Sequence, residues 1–165
     1  HVGPFLLCPK ETLKKLEKIF IRINKPRISF SPSILYIKLG LKSLLPFLKK
    51  TYILFLNERE IKKLINKNVK EGSKYLLRYG PKIIACTMGK KGAIVTTHEE
   101  QIFQEGEKVK NIVDTTGAGD SFAAGFLYGL LNKKSLKDSL TLANKIAAKS
   151  VSSFGLKWLD NLNFK

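Results

Sequence analysis

The stretch Asp114-Thr115-Thr116-Gly117-Ala118-Gly119-Asp120-Ser121-Phe122 decides the fold. It follows an apolar run at residues 109–113, which we interpret as a strand, and it opens a segment with helical composition at residues 117–131. Glycine and alanine let a backbone pass close to a bound group, because they carry little or no side chain. The start of a helix is a ready anion site. The stretch therefore predicts a strand, a small-residue phosphate loop and a helix in succession.

The same stretch contains groups suited to phosphoryl transfer. The amides of Gly117, Ala118 and Gly119 are expected to point together at one anion, as a nest. Asp120 follows in the first helical turn, where a carboxylate would repel a bound phosphate. Its chemistry suits a different task, which is to accept the proton of an attacking hydroxyl while the amides hold the transferred group. The alternative is a plain turn followed by a helix cap.

Outward from this stretch, strands alternate with helices. Continuous apolar runs at residues 52–56 and 82–86 are typical of strands buried on both faces of a parallel sheet. The other predicted strands are residues 2–7, 28–30, 93–97 and 101–104, and the other predicted helices are residues 11–23, 39–48, 58–65, 69–78 and 136–153. We expect Pro46 to disturb its helix. The alternation predicts a layered α/β fold with a mainly parallel central sheet.

Composition indicates a globular protein with a basic surface. The chain has 165 residues, of which 44% are hydrophobic, and 30 Lys plus Arg against 13 Asp plus Glu give a formal net charge of +17. Such a charge suggests nucleic acid. The lysines are spread along the whole chain on predicted outer helix faces, so we interpret them as a solvated surface and consider nucleic-acid binding the weaker hypothesis.

The cysteines and the hydropathy bear on the compartment. No run of about 18 apolar residues is present, so the sequence predicts no membrane span. Cys8 and Cys86 lie far apart and form no CxxC pair. Two thiols, buried or half-buried, fit a reducing cytosol, and we predict a cytoplasmic protein.

The stretch 114–122 resembles the second signature of the PfkB or ribokinase-like kinases. In that family the final Asp is the catalytic base and the Gly-Ala-Gly before it forms the anion hole, which implies these roles for Asp120 and for the amides of Gly117, Ala118 and Gly119. The resemblance also implies an α/β/α layered fold, ATP as donor, Mg²⁺ as cofactor, and a sugar or a nucleoside as acceptor. A sugar phosphate remains a third acceptor, and a homodimer is compatible with the family.

Two further motifs follow predicted buried strands. Asn57 and Glu60 resemble the family's Asn-x-x-Glu motif, in which Asn reaches the nucleotide phosphates and Glu organises water around Mg²⁺. Mg²⁺ keeps most of its waters, so a carboxylate that acts through water is reasonable. Alone, Glu60 would be an ordinary exposed helix residue. Residues 87–92 resemble the family's Thr-x-Gly-x-x-Gly loop along ATP, although alone they would be a hairpin turn. The implied nucleotide contacts there are Thr87, Gly89, Lys90 and Gly92.

The last predicted helix completes the resemblance. It implies that Asn144 lies near the adenine. It also implies a monovalent cation site for K⁺, which some members use to steady the anion-hole loop. The implied ligands are Asp114 and the main-chain oxygens of Thr116, Ser150, Ser153 and Gly155.

The resemblance covers the C-terminal half of such a kinase. Residues 1–165 are then the nucleotide-binding and catalytic part of a single ribokinase-like domain, and the N-terminal half with its β-lid lies outside this sequence. Ser31-Pro32-Ser33 departs from the Asp-Pro of many members. A half-sheet would have an open edge, so we expect the chain made alone to be poorly soluble or inactive. The alternative function is a non-catalytic nucleotide-binding module or an inactive fragment.

Overall fold

The structure is a computed structural model that describes residues 1–3, 10–22 and 27–161. Its strands form one sheet in the order β1-β2-β3-β4-β5, and the sheet is mostly parallel, as the sequence predicted. The first two strands pair in parallel, with Phe30 opposite Leu54. The five strands are β1 (Ile28–Phe30), β2 (Thr51–Asn57), β3 (Ile83–Thr87), β4 (Ala93–Thr96) and β5 (Gln101–Gln104).

Helices connect and flank these strands. Within the described residues, none of them has both the length and the apolar character needed to span a bilayer. The chain forms two compact units, one of residues 1–86 and 95–101 and one of residues 87–94 and 102–165. The α-helices are α1 (Lys10–Arg22), α2 (Ser33–Ile37), α3 (Leu41–Leu48), α4 (Glu58–Ile65), α5 (Val69–Leu77), α6 (Ala118–Leu131) and α7 (Leu136–Ser150), with short 3₁₀ helices at Gly89–Lys91 and Lys157–Asn161.

An aromatic cluster forms the core of the first unit. The ring of Phe47 on α3 lies 5.0 Å from Phe20 on α1, 5.7 Å from Phe30 on β1 and 5.6 Å from Tyr36 on α2, between ring centroids. Ring pairs at these distances stabilise a fold beyond the area that they bury. The cluster therefore explains why α3 continues through Pro46, where one helical hydrogen bond is lost.

In the second unit, α6 and α7 pack almost backbone to backbone. A Cβ atom on Gly129 would lie 2.8 Å from the Cα of Ser139, and one on Gly125 would lie 3.0 Å from the Cα of Ala143. Only glycine permits so close an approach at these positions. The contact places the first turn of α6 and the middle of α7 within the same compact unit.

The predicted strand at residues 109–113 is wrong. These residues have no regular structure, and the side chains of Ile112 and Val113 are 64% and 56% exposed. The amide of Val113 donates to the carbonyl of Val151, 2.8 Å away, at the end of α7. Apolar residues favour a strand only where a neighbouring strand can pair with them, and here a helix end takes that place.

The remaining differences lie at element ends and in one short helix. The predicted helix 136–153 ends at Ser150, because residues 151–156 form turns. Helix α2 was not predicted, and it begins at Ser33, the last residue of the Ser-Pro-Ser segment. Of the predicted strand 2–7, Val2 makes a parallel bridge to Phe30, and residues 4–7 lie outside the described residues. Ile23, at the end of the predicted first helix, and Cys8 also lie outside them, whereas Cys86 is a buried thiol in β3.

Candidate functional site

The loop before α6 is held by Asp114. Its carboxylate accepts a hydrogen bond from the amide of Thr116 at 2.8 Å. The amide and then the hydroxyl of Thr116, together with the amide of Gly155, hold the pKa of Asp114 below its usual range. Asp114 is therefore an ionised group that connects the loop to the turns after α7. Three of the residues predicted for the monovalent cation site, Asp114, Thr116 and Gly155, thus lie together.

The remaining residues predicted for the cation site follow α7. The Ser150 hydroxyl donates to the carbonyl of Ala147 at 2.8 Å. The Oγ atom of Ser153 is buried and has no hydrogen-bond partner among the described residues. A carboxylate, carbonyl oxygens and a buried hydroxyl without a partner are hard oxygen donors, so the residues present fit an alkali cation.

Gly117 makes the turn from this loop into α6. Its φ of 76° lies in the left-handed region, which glycine adopts without strain. A Cβ atom on Gly117 or on Gly119 would have no neighbour within 4 Å, so open space faces both residues. The loop is therefore shaped to admit a group of atoms beside the helix start.

The first turn of α6 offers a set of amides slightly different from the predicted one. The amide of Ala118 donates to the carbonyl of Thr115 at 3.3 Å, which partly occupies it. The amides of Gly119 and Asp120, in the first helical turn, have no hydrogen-bond acceptor among the described residues. The first amides of any α-helix lack a partner within the helix. Applied to the sequence, this rule predicts that the amide of Asp120 also belongs to the anion hole. The carboxyl-bearing side chain of Asp120 is exposed.

A pocket of about 570 Å³ opens beside this helix start within the second unit. The volume is typical of small-molecule sites. It brings together seven of the predicted site residues, which are Thr87, Gly89, Lys90, Gly92, Ala118, Gly119 and Asn144. Gly117 and Asp120 do not line it but adjoin residues that do.

Sequence reasoning missed the apolar wall of this pocket. Val109 and Ile112 line it from the irregular segment, and Ala147, Ala148 and Val151 line it from α7 and its end. The alanines carried no signal of their own, because small apolar residues on a helix usually mark packing. Lys90 and Lys108 add positive charge to the lining, and Glu107 adds one negative charge. An apolar wall with a few polar and basic groups suits a flat ring joined to an anionic chain.

Asn57 and Glu60 form a capping box at the start of α4 in the first unit. The amide of Glu60 donates to Asn57 Oδ1, and the amide of Asn57 donates to Glu60 Oε2, each at 2.9 Å. Glu60 is only 7% exposed, so the reading of it as an ordinary exposed residue is wrong. Burial raises the pKa of Glu60, and the hydrogen bond from Asn57 partly offsets this. Burying a carboxylate costs free energy, and pKa values perturbed in this way cluster at functional sites.

Among the described residues, no group of three or more His, Cys, Asp or Glu could hold a metal ion. Magnesium, however, binds through one or two carboxylates plus phosphate oxygens and water. Glu60 uses one carboxylate oxygen for the Asn57 amide and keeps the other for a water or a metal-bound water. The residues present therefore fit a Mg²⁺ ion that arrives with a nucleotide.

Comparison with known proteins decides the family. A family model described as pfkB family carbohydrate kinase matches residues 5–158. The chain belongs to the pfkB family. Its fold agrees with this assignment, since a probable sugar kinase from Rhizobium etli superposes with a TM-score of 0.76, at 27% identity over 88% of this chain and 45% of that one.

Two similar proteins have names that indicate an acceptor class. An uncharacterized sugar kinase from Archaeoglobus fulgidus is 33% identical over 130 residues, which are 79% of this chain and 52% of that protein. A cytidine kinase from Thermococcus kodakarensis is 29% identical over 158 residues, which are 94% of this chain and 55% of that protein. The chain thus spans about half the length of the curated relatives that it matches.

Proposed function

We propose that this chain is the nucleotide-binding and catalytic part of a kinase that transfers the γ-phosphate of ATP to a hydroxyl of a sugar or a nucleoside. The observation that carries the proposal is the pocket beside α6, where the glycine loop, Asn144 and the first turn of the helix meet. Membership in the pfkB family and the names of its relatives support the acceptor class.

In the proposed reaction, the apolar wall holds the base and the first amides of α6 hold the transferred phosphoryl group. Asp120, one residue beyond the pocket lining, accepts the proton of the attacking hydroxyl. Phosphoryl transfer needs mainly positioning and charge stabilisation, so amides at a helix start and a nearby base are the parts that matter. Mg²⁺, when bound with ATP, neutralises charge on the phosphates, and Glu60 with Asn57 would hold its water shell. K⁺ at Asp114 would steady the loop.

The test is the replacement Asp120→Asn in the full-length protein, assayed with Mg·ATP and a panel of sugars and nucleosides. General-base catalysis contributes about 10²–10⁴-fold, so turnover should fall by at least about 100-fold. ATP affinity should stay within about twofold, because the side chain of Asp120 is exposed and does not line the pocket. Asp138→Asn is the matched control, since Asp138 occupies the first turn of α7 and is exposed.

The outcomes separate the proposal from the alternative. Turnover near the parental rate in Asp120→Asn would show that Asp120 is not the base. Tight ATP binding by the parent without turnover on any sugar, sugar phosphate or nucleoside would favour a non-catalytic nucleotide-binding module. Cytidine and ribose belong on the panel because the relatives include a cytidine kinase and ribokinases.

A further inference from the structure

Asn144 lines the pocket, yet its amide group is directed at the protein backbone. The side chain is 7% exposed, and its Nδ2 atom donates to the carbonyl oxygens of Gln104 at 3.3 Å and Glu105 at 3.1 Å. The amide nitrogen of Asn144 is therefore directed at the backbone of residues 104 and 105.

A second side chain of α7 holds the same segment. Thr141, one turn before Asn144, has its Oγ1 atom 3.2 Å from Gln104 Oε1 and 3.0 Å from the carbonyl oxygen of Lys137. Thr141 does not line the pocket. Its single hydroxyl hydrogen is shared between these two acceptors, and the contact with Gln104 links the end of β5 to α7.

Residues 104–106 in turn lie directly on the glycine loop. A Cβ atom on Gly92 would overlap the carbonyl oxygen of Gln104, and one on Gly106 would lie 2.5 Å from the carbonyl oxygen of Lys90. The loop is closed by a hydrogen bond of 2.8 Å from the amide of Met88 to the carbonyl of Gly92. Helix α7 therefore contacts residues 104–106, which in turn contact residues 88–92, and all three segments contribute to the lining of the pocket.

We infer that Asn144 is a positioning residue, which fixes residues 104–106 against the loop 88–92 and so sets the shape of the pocket. The inference rests on the proposed function, because a nucleotide is the proposed occupant. Asn144 acts through the backbone, so its loss weakens different purine nucleotides to the same extent. A residue that read the base would change the preference between them.

The experiment uses three variants of the full-length protein. Asn144→Asp keeps the size of the side chain but places a carboxylate oxygen where two carbonyls need a donor. Thr141→Val keeps the shape and removes the hydroxyl, and it remains informative if Asn144→Asp does not fold. Asn68→Asp is the matched control, because Asn68 caps α5 in the first unit and Asp is as good a cap as Asn.

Hydrogen exchange and nucleotide affinity are then measured. Without nucleotide, peptides covering residues 88–92 and 104–108 should exchange faster in Asn144→Asp and Thr141→Val than in the parent and in the control. The Kd for ATP and the Kd for GTP should both rise, by about tenfold for Asn144→Asp and about threefold for Thr141→Val, as expected for one to two lost hydrogen bonds. The ratio of the two Kd values should not change.

Two results would overturn the inference. One is unchanged exchange at residues 88–92 in both variants, and the other is a shift in the ATP-to-GTP preference of Asn144→Asp. Failure of the proposed function looks different, since the parent itself would then bind neither nucleotide. In that case exchange at residues 88–92 still decides whether Asn144 positions the loop.

Discussion

At the scale of single residues, Glu60 differs in burial from Glu71, the glutamate at the equivalent position of the next helix. Asn57 and Glu60 form a capping box, and Asn68 caps the next helix with Glu71 at the equivalent position. Glu60 is buried, whereas Glu71 is exposed. The Asn-x-x-Glu spacing therefore occurs twice in succession at a helix start, and the carboxylate is buried only at the first.

This difference predicts an effect of pH on stability. The folded-state pKa of Glu60 is raised by burial above its ordinary value of 4.5. A group with a raised pKa contributes its full stability below the unfolded pKa and loses it as pH rises through the folded value. Glu60→Gln lacks this loss, so its unfolding free energy should increase relative to the parent between pH 4 and pH 7.

Urea denaturation in the presence of a chelator measures this change. Glu71→Gln provides the matched control, because Glu71 is exposed at the same helix position. A constant difference between Glu60→Gln and the parent from pH 4 to pH 7 would contradict the assignment of burial as the cause.

At the scale of elements, the contact between α6 and α7 depends on two glycines. A Cβ atom on Gly129 would lie 2.6 Å from the Oγ and 2.8 Å from the Cα of Ser139. The second distance involves backbone, so rotation of a side chain cannot relieve it. The two helices would have to separate to accept any larger residue at position 129.

We therefore expect Gly129→Ala to destabilise the protein although alanine favours helices. Overpacking costs about 1–3 kcal/mol, which outweighs a gain in helix propensity of about 1 kcal/mol. The shift should also weaken ATP binding, since α6 and α7 both line the pocket. Thermal or urea unfolding measures the first effect and calorimetry the second.

Leu131→Ala is the control for Gly129→Ala. Leu131 is on the same helix and 82% exposed, so its truncation should change stability by less than about 0.5 kcal/mol. Equal stability of Gly129→Ala and the parent would mean that the two helices are less tightly packed than described.

Elements with strong local signals could be predicted from the sequence. The helix at Glu58–Ile65 was predicted with its observed bounds, because Asn57 marks its start and the apolar run before it marks a buried strand. The segment 109–113 could not be predicted, since its conformation depends on a partner distant in sequence, Val151. The pocket residues likewise divide into those that local sequence motifs predict and those that depend on distant contacts. Its glycines and Asn144 belong to local motifs, whereas Ala147 and Ala148 become lining residues only through the approach of α7 to the loops.

At the scale of the whole molecule, charge is the most unusual property. The formal net charge is +17, and the lysines named below are exposed in the first half of the chain, all but one of them on helices. A broad positive field attracts anions of many kinds, and it accelerates their approach more than it strengthens their final contacts. The exposed lysines are Lys14, Lys15 and Lys18 on α1, Lys62 and Lys63 on α4, Lys67 between helices, and Lys70 and Lys74 on α5.

We expect this field to accelerate ATP binding. Because salt screens exposed charges over about 10 Å at 0.1 M, the association rate of ATP should fall severalfold when sodium chloride rises from about 50 to about 300 mM. The dissociation rate should change much less. Stopped-flow fluorescence with a labelled ATP analogue measures both rates.

Adenosine, which is uncharged, is the ligand control and should show little dependence on salt. An association rate of ATP that is independent of salt would show that the lysines do not steer the nucleotide. Sequence-selective binding to DNA with a steep salt dependence would instead support the nucleic-acid hypothesis.

The exposed side chain of Ile112 has a thermodynamic consequence. It lines the pocket and is 64% exposed, so a base placed against it would remove hydrocarbon from water. Removing apolar surface from water lowers the heat capacity of a complex. The enthalpy of nucleotide binding should therefore become more favourable as temperature rises. Calorimetry of nucleotide binding at several temperatures would measure this contribution of the irregular segment 109–113 as a negative change in heat capacity.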